Sequence, residues 1–164
     1  ETNGKYSVVR NNGSFEWTRR SMDGFSKLLF DGEVPFKVWD YFNCGFQIVN
    51  KEHKEFFEYV RDYYLENQNK IQNAIEQVRA GTDQTLINFL IREQNVELNY
   101  LPIEYNLQDL HSKQLLFLHP QMWFEDKLIF ENCGYVFHFN AIPPNDMNRD
   151  ASYWIKRTYE EFYG

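Results

Sequence analysis

Apolar and polar positions fall in blocks along this chain, and the blocks predict its elements. KYSVVR at residues 5–10 is a short apolar run with an Asn-Gly pair on either side, the mark of a strand between turns. A polar loop over residues 11–17 leads into a helix over 19–30, closed by Asp31-Gly32. Residues 33–43, with Pro35, Trp39 and Tyr41, follow no period and predict irregular backbone of the kind that walls a cleft. Residues 46–50 are apolar without alternation, which predicts a central strand covered on both faces.

Helical spacing takes over after Asn50, a residue suited to capping a helix start. Phe56, Phe57, Val60, Tyr63 and Tyr64 lie on one face of a helix over 51–66, and Ile71, Ala74, Ile75 and Val78 on one face of a helix over 70–80. The Glu66-Asn67-Gln68-Asn69 junction predicts a bend or break between them, and Gly81 a stop. Thr82 or Asp83 caps a further helix whose stripe is Leu86, Ile87, Leu90 and Ile91. VELNYL at 96–101 alternates as a strand does, a loop occupies 102–110, and Leu115 to Leu118 make a short apolar run. A strand is predicted at 135–139 and a closing helix at 147–163, with Ile142-Pro143-Pro144 breaking the chain between them. Strands alternating with helices predict the α/β class, a mixed sheet flanked by helices, in one domain or a piece of one spanning 1–164.

Composition narrows the function. Hydrophobic residues are 43% of the 164, and aromatics 18%, enough both to build a core and to line a wet cleft. The net charge of −7 excludes a phosphate-gripping surface, so nucleic acid is not an expected partner. No apolar run approaches the roughly 20 residues of a membrane span. Two cysteines, Cys44 and Cys133, make no disulfide framework and are expected as reduced, half-buried thiols in a cytoplasmic protein. Neither a Cys-x-x-Cys nor a His-x-x-x-His is present, and no phosphate-loop or nucleophile-elbow motif occurs.

Three polar clusters stand at the ends of predicted elements: Tyr41-Phe42-Asn43-Cys44-Gly45, Asp83-Gln84 with Asn88, and His138 within Tyr135-Val136-Phe137-His138-Phe139-Asn140. Taken alone, each has an ordinary explanation. Asn and Gly are turn residues, Asp at a helix start is a cap, and a histidine between two phenylalanines is a half-buried one. His53 is expected to be solvated on a charged helix turn.

In this order the three clusters resemble the second half of nucleotide-sugar glycosyltransferases of the GT-A type, especially those like family 8, over residues 5–140. YFNCG followed by DQTLIN carries the resemblance. It implies a GT-A-like fold of which this chain is the later half, and transfer of a hexose from a UDP-sugar to a carbohydrate or glycosylated protein acceptor, with retention. By resemblance, Tyr41, Asn43, Cys44 and Gly45 lie against donor sugar and acceptor, and Asp83 contacts donor hydroxyls. Gln84 lies near the anomeric carbon, where its carbonyl dipole can stabilise an oxocarbenium-like transition state although it cannot act as a base. Trp17, Trp39 and Tyr41 are the candidates for stacking on an acceptor sugar. His138 matches the histidine that completes a Mn2+ (or Mg2+) site, the ion neutralising the leaving UDP.

The chain departs from that pattern twice. It contains no Asp-x-Asp, which is expected upstream of Glu1 together with the nucleotide-binding strands. After His138 it runs Asn140-Ala141-Ile142-Pro143-Pro144-Asn145, without the lysine that the family places on the diphosphate, and Arg149 is the nearest cation. Two other classes fit the same residues: a non-catalytic carbohydrate-binding or structural domain derived from a transferase, and an α/β interaction domain.

Overall fold

The structure, a computed structural model, describes residues 2–11, 14–79, 83–106, 123–124, 127–128, 136, 159–160 and 163–164. The chain divides into two compact units, Glu1–Ile103 and Glu104–Gly164. Described residues of the second unit include a two-stranded antiparallel pair, β4 (Trp123–Phe124) and β5 (Lys127–Leu128). The expected strand at 135–139 and closing helix at 147–163 fall largely outside the described residues. Gly81, Cys133, His138 and Arg149 do so entirely.

The first unit is a mixed α/β arrangement. Three strands, β1 (Tyr6–Arg10), β2 (Phe42–Ile48) and β3 (Leu98–Leu101), form a sheet in the order β2-β1-β3. β1 pairs antiparallel with β2 and parallel with β3. Three helices accompany it: α1 (Phe15–Leu29), α2 (Lys54–Val78) and α3 (Asp83–Glu93). The core lies between sheet and helices and joins Tyr6, Val8 and Phe42 of the sheet to Phe25, Phe56, Ile71, Ala74, Leu86, Phe89, Leu90 and Ile91. Phe30 extends it, stacked on Phe89 at 4.4 Å between ring centroids.

Three expectations about the placement of elements are corrected. The central strand is β1, whose residues Tyr6 to Val9 are buried, while β2 stands at the edge of the sheet that the described residues form. β2 also starts at Phe42 rather than Phe46, so Asn43 to Gly45 lie inside the strand instead of before it. α1 starts at Phe15 and not Arg19, because the Ser14 side chain accepts from the Trp17 amide and caps it. The bend expected at Glu66-Asn67-Gln68-Asn69 is present: α2 runs through both expected helices with non-helical backbone at Asn67, φ −111° and ψ 15°. There the Asn67 side-chain amide donates to the Tyr63 carbonyl at 3.0 Å, a local competitor to the helical ladder.

The entry to α2 follows the Asn50 signal with one addition. A 3-10 turn at Lys51–His53 precedes the helix; Asn50 Oδ1 accepts from the Glu52 amide, and His53 Nδ1 accepts from the Asn50 amide. His53 is thereby buried, edge-on to Tyr6, and not solvated as expected. α1 closes as the sequence predicts: Asp31 and Gly32 both take positive φ, and Gly32 N–H returns to the Ser26 carbonyl.

Candidate functional site

The two segments YFNCG and DQTLIN, some forty residues apart, meet along one line of contacts. α3 lies beside β2 and runs against it. Tyr41 Oη and Thr85 Oγ1 are 2.7 Å apart. Asn88 Oδ1 accepts from the Phe42 amide at 3.0 Å, and Asn88 Nδ2 donates to the Phe42 carbonyl at 2.8 Å and the Gln84 carbonyl at 2.9 Å. Gln84 Oε1 accepts from the Cys44 amide at 3.2 Å. Further along, Arg92 Nη2 donates to the Asp40 carbonyl and to Tyr100 Oη, both at 2.7 Å.

The edge position of β2 among the described strands explains this pattern. An edge strand has one row of backbone groups without a strand partner. At Phe42, which is fully buried, that row has no water to turn to. The carboxamide of Asn88 has the donor and acceptor of a peptide unit, and it takes the place of a neighbouring strand. Its helical position, i+4 from Gln84, puts both side chains on the same face of α3.

The strand is irregular where the motif reaches glycine. Val9 pairs with Asn43 and Val8 with Gln47, so Cys44, Gly45 and Phe46 have no counterpart on β1. This bulge is held by its own polar groups: Gly45 N–H donates to Asn43 Oδ1 at 2.7 Å, and Gln47 Nε2 donates to the Cys44 carbonyl at 2.9 Å. Gln47 Oε1 in turn accepts from Tyr6 Oη. Bulges bend an edge and re-aim its residues, and they are common beside sites. Half-buried Cys44 in the bulge donates its amide to buried Gln84 at the start of α3, and both Gly45 and Asp83 are exposed.

The electrostatics bear on Cys44. Burial, and after it the Asp83 carboxylate, pushes its thiol well up, which disfavours a thiolate there. Burial also raises Tyr41 strongly; its hydrogen bonds to Thr85 and Gln84 oppose this only in part. Arg92 is lowered, chiefly by burial, with its guanidinium over the Phe36 and Phe42 rings at 4.9 and 5.5 Å.

The expected site residues separate into groups. Tyr41, Asn43, Cys44, Gly45, Asp83 and Gln84 come together at the bulge and the start of α3. Trp39 is 63% exposed on a 3-10 turn, Val38–Asp40, just before β2. Tyr41 is fully buried, which leaves no ring face for an acceptor to stack on. Trp17 is half-buried in the first turn of α1. The sequence marked Asn88 as the last residue of the DQTLIN motif without a role of its own, and gave Thr85 and Arg92 none.

His138, the one metal ligand proposed within this chain, lies outside the described residues, and among the described residues no three His, Cys, Asp or Glu side chains group to hold a metal ion. No helix among those residues is long and apolar enough to cross a membrane. No protein-family model, curated protein or solved structure matches the chain.

Proposed function

We propose that this chain is the sugar-side part of a nucleotide-sugar glycosyltransferase, moving a hexose from a UDP-sugar to a carbohydrate or protein acceptor. One observation carries the reading: the YFNCG and DQTLIN segments, which share no sequence neighbourhood, are joined by hydrogen bonds at Phe42–Asn88 and Cys44–Gln84, and each keeps an exposed residue, Gly45 and Asp83. On this reading, Asp83 accepts hydrogen bonds from donor-sugar hydroxyls, and the bulge at Gly45 lets the backbone approach the ring without a Cβ in the way. Gln84 offers its carbonyl oxygen. The Cys44 amide donates to that oxygen, which fixes the side chain. Fixed dipoles of this kind stabilise developing positive charge without reorganising. Trp39 supplies an exposed ring for an acceptor sugar.

The test is UDP-hexose turnover by the full chain, with and without Mn2+, in wild type, Asp83→Ala and Trp39→Ala. The reading expects Asp83→Ala to lower kcat/KM at least about tenfold, the scale of one lost charge-assisted hydrogen bond. Trp39→Ala is expected to raise the acceptor KM and leave donor hydrolysis alone. Equal turnover in wild type and Asp83→Ala overturns the site assignment. A second reading, a carbohydrate-binding domain without catalysis, is favoured by one fact: Gln84 Oε1 already serves the strand. Saturable hexose binding with no turnover supports that alternative.

A further inference from the structure

On one side of α3, away from the β2 contacts, a cavity of about 420 Å3 lies between the start of that helix and the kinked α2. Its walls are Val60, Leu65, Ile71, Ile75, Leu86 and Ile87, with Tyr64 beside them. The kink at Asn67 falls between the α2 residues that contribute, Tyr64 and Leu65 before it and Ile71 and Ile75 after it. Leu65 is 62% exposed and Tyr64 43%, large apolar surface left toward solvent at a hollow of ligand size.

Two charged side chains line this cavity, Arg61 and Asp83. Arg61 is engaged by Asp62, with 2.8 Å contacts from both Nε and Nη2 to the same carboxylate oxygen. Asp83 is exposed at the first position of α3. An anionic headgroup would meet a carboxylate and a guanidinium that is already paired. A neutral, hydroxyl-bearing headgroup would find an acceptor, and an apolar substituent a hydrocarbon wall. We propose that this cavity binds the apolar aglycone of a glycoside, with the sugar hydroxyls on Asp83. The inference rests on the reading of Asp83 as a sugar-binding residue, and it narrows the acceptor to a sugar carrying an alkyl or aryl group.

The experiment is titration of the full chain with octyl β-glucoside below its micelle-forming concentration, followed by amide NMR, with glucose, phenyl β-glucoside and octanol as parallel probes. Wild type is expected to bind octyl glucoside saturably and more tightly than glucose. Leu65→Asp, at an exposed position, places a charge in the hydrocarbon wall and is expected to weaken octyl glucoside about tenfold. Asp83→Asn keeps a good helix-start residue and is expected to weaken both glucosides by about the same factor while leaving octanol unchanged. Phenyl glucoside binding as well as octyl glucoside points to an aryl group, and much weaker binding to a chain. Octyl glucoside insensitive to Leu65→Asp, or octyl glucoside and octanol responding alike to Asp83→Asn, overturns the proposal. Glucoside binding with both dependences but no UDP-hexose turnover leaves the cavity standing and removes the transferase.

Discussion

Replacing Asn88 by leucine tests the edge-strand clasp most directly. The side chain is fully buried and bonds both backbone groups of Phe42, at 3.0 and 2.8 Å, in a setting where Phe42 itself is fully buried. Leucine has similar size, so little cavity opens, and helix propensity shifts in its favour by roughly 0.5 kcal/mol. Against this, one buried N–H and one buried C=O lose their partner, at about 1–3 kcal/mol each. The expected net loss is therefore about 2–5 kcal/mol. Urea unfolding of the full chain should show a lower midpoint with an unchanged slope, and hydrogen exchange should show the Phe42 amide losing protection more than the amides of β1. Asn88→Asp keeps the acceptor for the Phe42 amide but sets a carboxylate against the Phe42 carbonyl. Burial would raise that carboxyl above its unfolded value, so the variant should be most impaired at neutral pH and recover as pH falls through the raised value. Stability of Asn88→Leu within about 0.5 kcal/mol of wild type, with the Phe42 amide still protected, would refute the idea that a side-chain amide substitutes for a missing strand.

Gly24 of α1 faces Val78 of α2 so closely that a Cβ there would stand 2.3 Å from Val78 Cγ2. Gly24→Ala should therefore destabilise by about 1–3 kcal/mol despite its better helix propensity, and calorimetry of Gly24→Ala/Val78→Ala should show most of that loss recovered. Arg92→Met removes the donor that ties Asp40 and Tyr100 to α3. It should cost about 1.5–3 kcal/mol in urea unfolding, with Arg92→Lys recovering only part, since an ammonium lacks the planar fork. Alkaline titration should unfold the protein through its tyrosines. Tyr59 is raised to about 12, by burial first and then by Glu93, and burial raises Tyr6 and Tyr41 further. All three stand above the unfolded value of about 10, so their stabilisation is complete below that pH and fades as pH climbs through each folded value. Tyr59→Phe should flatten the part of the loss near pH 12, read by circular dichroism.

Much of this protein was legible in its residues. Periodicity marked β1, the α3 stripe and the bend near Asn67, because local backbone preference and one-sided burial act over a few neighbouring residues. The Asp31-Gly32 stop and the Asn50 cap were legible for the same reason. The class, a mixed sheet with helices, followed from the alternation of these elements. The meeting of β2 with α3 was expected only through a family resemblance; nothing in the spacing of Asn43 and Gln84 requires it.

Tertiary structure decided the rest. An apolar run looks alike in a central strand and in an edge strand covered by a helix, since both are shielded from water. Only pairing reveals that β1 is central and that Asn88 closes the edge. The bulge at 44–46 is likewise a matter of register with β1, which sequence does not encode locally. His53 has a charged neighbourhood along the chain but a buried one in space, because Tyr6, far away in sequence, closes over it. The cavity beside Asp83 arises from two helices meeting at a bend, and no residue in it announces a hollow.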